Sequence, residues 1–425
     1  MTSQEFSAAG FSHNEFSYIP DPFSFYEKMR VEQPVYFSER IFGGTWLFFR
    51  YADCNNLLME ERLSNARAAV PLWFLPPDAR TGFGDMIGVF ERWLAFHDGS
   101  SHTRLRRQAN RSYMPFGDKR IAPRVQRIVD GLLDDVDPDG FDLMSEFAFP
   151  LPAIVIADLL GVPTEAHPDL TRWTDDIAHL FGSTQVSAEH VRRTQNSTRE
   201  LVDFLSSAES TACSARQGGL MHQMHTTEVH GYRYDEQDVI AQAALLLFAG
   251  TASIRYLIGN SVHVLDQRPH HERNLLVDHM TAPDAMEELL RYSTPVQFIG
   301  RVAREDFTYT YGEGKAHIRA GQPLILYVAS ANRDPEKFPR ADELVLTRPA
   351  PNEHLTFGAG RHLCFGDPLV RLTTRIALAS LYRRMPYLRI PPQTFNWNNN
   401  LGFHGFQSLN VTAAAAEHPT GVRRP

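Results

Sequence analysis

Residues 239–265, VIAQAALLLFAGTASIRYLIGNSVHVL, are apolar almost all the way round a helix. Such a helix is stable only when it is enclosed, either by protein or by lipid. A membrane span needs about 20 predominantly apolar residues in succession. Here Gln242 and Arg255 interrupt the run, and the uncharged stretch is shorter than that. The segment therefore reads as a central buried helix, and the rest of the chain must supply its walls. A chain of 425 residues is long enough to do so and to enclose a cofactor as well. No Ser/Gly-rich spacer, low-complexity tract or repeat of fixed period divides it. The expected architecture is one large, mainly α body with a small β region.

Composition excludes several functions. The formal net charge of −8 argues against a basic nucleic-acid surface. The start, MTSQEFSAAGFSHNEF, has neither a cationic region nor an apolar core, so no secretion signal is read there. Cys54, Cys213 and Cys364 are too few and too scattered for a disulfide framework, and a reducing cytoplasm is expected.

Along the chain, 21–32 reads as a helix capped by Asp21, 45–51 as a strand, and ADCNNLLMEERL after it as a helix. Residues 70–90 are rich in Pro, Gly and aromatics and read as a long, mobile loop, a type that is usually functional. Helical patterning dominates from 102 to about 210, and a polar stretch at 211–236 leads to the central helix. TAPDAMEELLRYSTP (281–295) reads as a helix with a Thr281–Asp284 capping box, Pro283 in its first turn and Pro295 beyond its end. Alternation of Phe307, Tyr309 and Tyr311 before a Gly-rich turn predicts a hairpin. A helix is expected over 366–384, with a terminal hairpin in NNNLGFHGFQSLNV.

The chemistry concentrates in FGAGRHLCFG, residues 357–366. A cysteine in such a loop can be a nucleophile, a metal ligand, a haem ligand or inert filling. A nucleophile needs a base; His362 lies two residues away and, on an extended chain, points the same way as Cys364. Zinc needs further thiolates or imidazoles at ligand spacing, and none lies close in sequence. The glycines argue against inert filling, because Gly358, Gly360 and Gly366 permit turns that carry a sulfur up to a large flat partner.

Phe357, Gly360, His362, Cys364 and Gly366 match the pattern F-x-x-G-x-[RH]-x-C-x-G. Glu288 and Arg291 form E-x-x-R, His102 and Arg106 form H-x-x-x-R, LLLFAG lies within the long helix, and ANRDPEKF (331–338) precedes the cysteine loop. In this order and spacing the chain resembles the cytochrome P450 family of haem-thiolate monooxygenases, in its soluble bacterial type. The likeness covers 18–412, with flexible ends expected at 1–17 and 413–425. It implies a triangular single domain holding haem b between the long central helix and the cysteine loop. Cys364 would be the iron ligand. His102, Arg106, Arg301 and His362 would hold the propionates, with Phe357, Gly358, Gly366 and Ala249 lining the cofactor. Glu288 and Arg291, joined by Arg348, would brace the fold. The arginines at 104, 107, 111 and 361 would face an acidic ferredoxin.

The chain departs from the family at one place. An acid and a hydroxyl residue usually follow Ala-Gly in the long helix and relay protons during dioxygen cleavage, a role typically worth about 10²–10⁴-fold in rate. Here Ala249-Gly250-Thr251-Ala252-Ser253 puts alanine at the acid position and keeps the hydroxyl as Ser253. The expectation is that Ser253 and ordered water carry protons, with Thr251 and Gly250 beside them. The alternative is atypical chemistry: ring coupling, aromatic nitration, peroxide use or nitric-oxide reduction. A haem-binding sensor or scaffold without turnover is the reading from another class.

Position alone suggests a pocket roofed by 70–96 with Trp73, Phe74 and Phe83, and lined by Phe248, Val296, Gln297, Phe298, Phe406 and Gln407. So many aromatics imply an apolar or aromatic small-molecule substrate of medium size, as in secondary-metabolite biosynthesis. Dioxygen and electrons from NAD(P)H through a ferredoxin reductase and ferredoxin complete the partners, for a cytoplasmic monomer with no nucleic acid or membrane. Arg255, about 200° round the helix from Ser253, is expected to pair with a buried acid away from the haem. His222, His225 and His230 mimic zinc spacing in a polar stretch that reads as surface loop.

Overall fold

The computed structural model describes residues 21–183, 186–215 and 219–413. The segments 1–17 and 414–425, expected to be flexible, lie outside the described residues, as does the side chain of Phe74. Ala413, assigned above to the tail, donates its N–H to the Pro138 carbonyl (2.8 Å).

The central helix runs over Glu236–Asp266, 31 residues, or roughly 46 Å. Asp235 caps it, its carboxylate accepting from the Asp238 N–H (2.6 Å). By length and composition it could cross a membrane, yet 67% of its most apolar window is buried inside the protein. Helices Pro150–Leu160, His167–Gly182, Ala188–Ala215 and Asp367–Arg384 pack around it. The polar residues that break its apolar run are fasteners. Gln242 accepts from the Leu94 N–H (3.0 Å) and donates to the Arg92 carbonyl (2.6 Å). Asn260 donates to the His404 carbonyl in the terminal hairpin loop (2.9 Å). Arg255 pairs with Asp175 on the neighbouring helix His167–Gly182 and donates to the Tyr256 hydroxyl (3.1 Å).

The β region is a five-stranded sheet in the order Val35–Ser38, Thr45–Phe48, Pro323–Leu326, Ile299–Ala303, Leu63–Ser64. Thr45–Phe48 and Pro323–Leu326 pair in parallel, and the other neighbours are antiparallel. The hairpin pairs Phe307 with Ile318 through Tyr311 with Gly314, and Gly312 takes a left-handed φ of 51° at its turn. The apolar run after it leaves the hairpin and enters the larger sheet. The terminal hairpin joins Asn396–Trp397 to Phe406–Ser408 with a register shift.

Several sequence expectations are corrected. Residues 70–90 are not a mobile loop: 3₁₀ turns at Val70–Phe74 and Pro77–Phe83 lead into a helix at Gly84–Glu91. The segment is held because Phe83, Met86 and Phe90 enter the core. The helix after Arg50 stops at Leu58, short of MEERL. The polar stretch 211–236 contains the helix Leu220–Thr226. Helix Ala282–Tyr292 forms without the capping box, because the Thr281 hydroxyl donates instead to the Leu275 carbonyl (2.8 Å).

That helix carries the strongest polar contact in the core. Arg291 grips Glu288 with two parallel bonds (2.8 and 2.9 Å), and both side chains are fully buried. Arg348 donates to the same carboxylate (2.9 Å), as does the Val345 N–H (2.8 Å). The remaining guanidinium donors reach the carbonyls of Asn332, Ala341 and Glu343 from Arg291, and of Pro339 and Arg340 from Arg348. Buried charges are tolerated when every partner is present and costly when one is removed. Arg291→Ala is therefore expected to lower unfolding free energy in guanidinium titrations by about 3–5 kcal/mol. Arg233→Ala, which breaks an exposed pair with Glu228, should stay within about 0.5 kcal/mol.

Candidate active site

The cysteine loop hangs from this brace. The Asn332 amide donates to the hydroxyls of Thr294 (2.7 Å) and Thr356 (2.9 Å), and its oxygen accepts from the Leu355 N–H (2.7 Å). The Thr356 hydroxyl donates to the Leu290 carbonyl (2.9 Å). Phe357 is thereby positioned, and its carbonyl accepts from the Cys364 N–H (2.9 Å) to close the loop. Gly358 and Gly360 sit at φ 72° and 70°, where a Cβ is strained. A Cβ on Gly360 would also fall 3.1 Å from Met59. Burial pushes the Cys364 thiol up, while the Gly366 N–H and the charges of Arg106 and Arg371 pull it down.

Above the sulfur lies a cavity of about 330 Å³. Phe357, Cys364 and Gly366 line it from the cysteine loop, and Ala249, Gly250 and Ser253 line it from the central helix. Gly250 also touches the next helix, for a Cβ there would lie 2.4 Å from Ile156. Ser253 donates to the Ala249 carbonyl (2.9 Å) and faces the cavity. Thr251 and Ala252 do not line it. Both are buried in the packing behind the helix, and the Thr251 hydroxyl is committed to the Leu247 carbonyl (2.7 Å). The helical turn of about 100° per residue explains the split: positions 249, 250 and 253 share a face that 251 and 252 leave.

His102, Arg106 and His362 line the same cavity, and Arg301 lies beside them. The His102 and His362 rings are 4.0 Å apart. Burial pushes both imidazoles down, His362 to about 3, so both are neutral near pH 7. Arg106 donates to the Leu363 carbonyl (2.8 Å) and Arg301 to the Gly300 carbonyl (2.9 Å). Burial, then the nearby Arg67, lowers Arg301 to about 9. The closest acid, Asp98, is already engaged by Arg304 (2.9 Å), the Ser64 hydroxyl and the Asn65 N–H, and stands 3.8 Å from His362. The rim thus holds positive charge that Asp367, near Arg106, and Asp98, near Arg301, offset only in part. A thiol in the lining, small residues at 249, 250 and 253 of the central helix and a cationic edge fit an iron porphyrin with two carboxylates.

A second cavity of about 260 Å³ shares Phe248, Ala249, Val296 and Phe403 with the first and includes Phe298 and Arg301. The other expected pocket residues are placed elsewhere. Trp73 and Phe83 line neither cavity; Trp93, Leu94, Ala95 and Phe96 reach in from the same segment. Gln297 is spent inside the fold, donating to the Thr294 carbonyl (2.8 Å) and accepting from Tyr26 (3.0 Å). Phe406 packs on Trp397 (3.9 Å) and Gln407 is exposed, so the terminal hairpin reaches the cavities through Phe403 in its loop. Gly358 shapes the loop without lining either cavity. Sequence reasoning missed Phe403, Gln242 and Arg67. Only Gln242 had a signal, as a lone amide in an apolar run.

The remaining singled-out residues take structural places. Arg361 pairs with Glu61 (2.8 Å), and Arg104 lies over the Tyr232 ring (4.6 Å). Among the described residues no His/Cys/Asp/Glu group suits a metal ion, His222, His225 and His230 included.

The fold disfavours the charged form of Arg301 below pH about 9, a cost relieved as pH rises further toward its usual ionisation. Arg301→Leu should therefore stabilise the haem-free protein at pH 7, read as a higher unfolding midpoint. The same change should weaken haem binding by about 10–100-fold, the worth of a hydrogen bond to a charged group.

A family model described as Cytochrome P450 matches residues 277–393. The polyketide biosynthesis cytochrome P450 PksS of Bacillus subtilis (strain 168) is 31% identical over 401 residues, covering 92% of this chain and 96% of that one. The vitamin D(3) 25-hydroxylase of Pseudonocardia autotrophica is 33% identical over 383 residues, 89% of this chain and 90% of that one. Among solved structures, P450BioI in complex with hexadec-9Z-enoic acid ligated acyl carrier protein superposes with a TM-score of 0.82 at 28% identity, covering 92% of this chain and 98% of that one. With a cysteine loop, a buried Glu288–Arg291 brace and full-length relatives of this kind, the chain belongs to the cytochrome P450 family, whose members are haem-dependent oxidoreductases acting on small molecules.

Proposed function

We propose that this enzyme is a monooxygenase that inserts oxygen into a medium-sized, apolar organic molecule of secondary metabolism. The observation that carries the reading is the paired cavity, with Cys364 and Ser253 in its lining, and Leu94, Phe248 and Phe403 closing the apolar space. Relatives with biosynthetic names, PksS and a biotin biosynthesis P450 of Bacillus subtilis, support the metabolic setting. The domain is taken as 18–412, holding haem b, in a cytoplasmic monomer. Dioxygen is the co-substrate, and NAD(P)H supplies electrons through a ferredoxin reductase and ferredoxin.

Bound haem supplies the redox chemistry that activates dioxygen. The chain's residues do the rest. Cys364 would be the iron ligand, Phe357, Gly366 and Ala249 would enclose the group, and His102, Arg106, Arg301 and His362 would hold its carboxylates. Apolar side chains exclude water from the substrate. The Ser253 hydroxyl donates to the Ala249 carbonyl, and its lone pairs can accept from a water; to pass a proton on at Oγ, its O–H would turn from that carbonyl into the cavity.

A second reading rests on one observation: no described residue lining either cavity is a carboxylate. Ala252, at the usual acid position, is turned into the packing. This favours a haem-thiolate enzyme whose chemistry needs less proton delivery, such as ring coupling, nitration, peroxide use or nitric-oxide reduction.

The test supplies a surrogate ferredoxin, its reductase and NADPH, and screens molecules that shift the Soret band. Monooxygenation predicts NADPH consumption matched by product; a sensor or scaffold would shift spectrally without turnover. With any substrate found, Ser253→Ala should lower product formed per NADPH by about tenfold or more. Ala252→Glu should change it less than about threefold, because that position faces away from the cavity. A large gain from Ala252→Glu would instead identify the missing acid as the limiting element.

A further inference from the structure

Arg67 belongs to no expected part of the site. It follows the edge strand Leu63–Ser64 and lines the second cavity but not the first. Its side chain crosses Gly300, where an added Cβ would lie 3.4 Å from Cδ and 3.5 Å from Nε. Its guanidinium sits over the Phe96 ring (4.9 Å). Nε is buried without a hydrogen-bond partner. Burial lowers its ionisation to about 10, and no carboxylate opposes that effect. In the same cavity wall, the buried Trp93 indole N–H also lacks an acceptor. A buried guanidinium without an anion is costly. No carboxylate is among the described residues that line this cavity, so the charge of Arg67 defines the missing partner as an anion.

The porphyrin carboxylates do not account for Arg67. Two carboxylates need two cations, which Arg106 and Arg301 supply. Arg67, which stands near Arg301 and lines the same second cavity, is a third cation and so is surplus to those two carboxylates. We propose that Arg67 is the anchor for a carboxylate on the substrate, which is therefore a free organic acid whose apolar body extends past Val70 and Phe248 toward the haem. This rests on reading the second cavity as the substrate end of the P450 site. A guanidinium binds a carboxylate through paired donors, which fixes orientation as well as affinity. The anchor would hold the acid's far end away from the thiolate and select which carbon is presented.

The experiment is a Soret titration of the haem-loaded protein with matched acid and methyl-ester pairs: dodecanoic, 4-phenylbutanoic and 2-naphthoic acids and their esters. In wild type, at least one acid should bind about tenfold or more tightly than its ester. Arg67→Gln should abolish that preference while leaving ester affinity, haem content and the reduced carbon-monoxide spectrum unchanged, and Arg67→Lys should restore part of it. The proposal is overturned if no acid outbinds its ester, if Arg67→Gln weakens both equally, or if it loses haem, which would make Arg67 a cofactor contact. If wild type lacks the thiolate spectrum, the P450 reading itself fails, a result separate from any of these.

Discussion

A carboxylate with no water around it holds the catalytic half of this molecule together. Glu288 is fully buried and accepts from Arg291, Arg348 and the Val345 N–H. Arg291 and Arg348 then spend their other donors on five backbone carbonyls between Asn332 and Glu343. An ion pair this deep adds little net energy over apolar packing, but it permits only one arrangement of its partners. Asn332 stands inside that arrangement and carries the bonds onward to Leu355 and Thr356. The position of Cys364 is thus inherited from a carboxylate far from it in sequence. Glu287, next to Glu288, holds Arg371 and His354 (2.5 and 3.1 Å), and ties the helix that follows the cysteine to the same brace.

The two halves of the site obey opposite electrostatic rules. At the brace two guanidiniums share one carboxylate, and backbone carbonyls take their remaining donors. At the cavity rim Arg106, Arg301 and Arg67 are cations that burial penalises; Asp367 and Asp98 offset this only in part for the first two, and no acid does for Arg67. A protein core tolerates such an excess only if something else brings the negative charge. The polar breaks in the central helix follow the first rule: Gln242 and Asn260 each bond a neighbouring backbone carbonyl, and Arg255 meets Asp175. They hold the roof segment, the terminal hairpin and the adjacent helix against the helix that lines the cavity.

The sequence revealed residues whose role depends on local backbone chemistry. Gly358 and Gly360 occupy the left-handed turns that a glycine-flanked cysteine implied, and the Glu288–Arg291 spacing placed both on one helix face. The tyrosine-alternating hairpin formed in full. Residues whose role depends on long-range approach were not legible. Phe406 and Phe403 look alike in sequence, yet Phe406 pairs with Trp397 in the hairpin while Phe403, bridged to Val296, lines the cavity. Gln297 seemed a substrate ligand until the fold brought Tyr26 and Thr294 to it. Arg67 gave no periodic or motif signal, because what distinguishes it is the acid missing from its surroundings.

The account stands on a thiolate–iron bond at Cys364, and the spectrum of the reduced protein under carbon monoxide tests it directly. Folded, haem-loaded protein should give the Soret band of thiolate ligation at about 450 nm, and Cys364→Ser should lose it. Intact wild-type protein without that band, or a Cys364→Ser variant that keeps it, would contradict the assignment of this loop and the site built upon it.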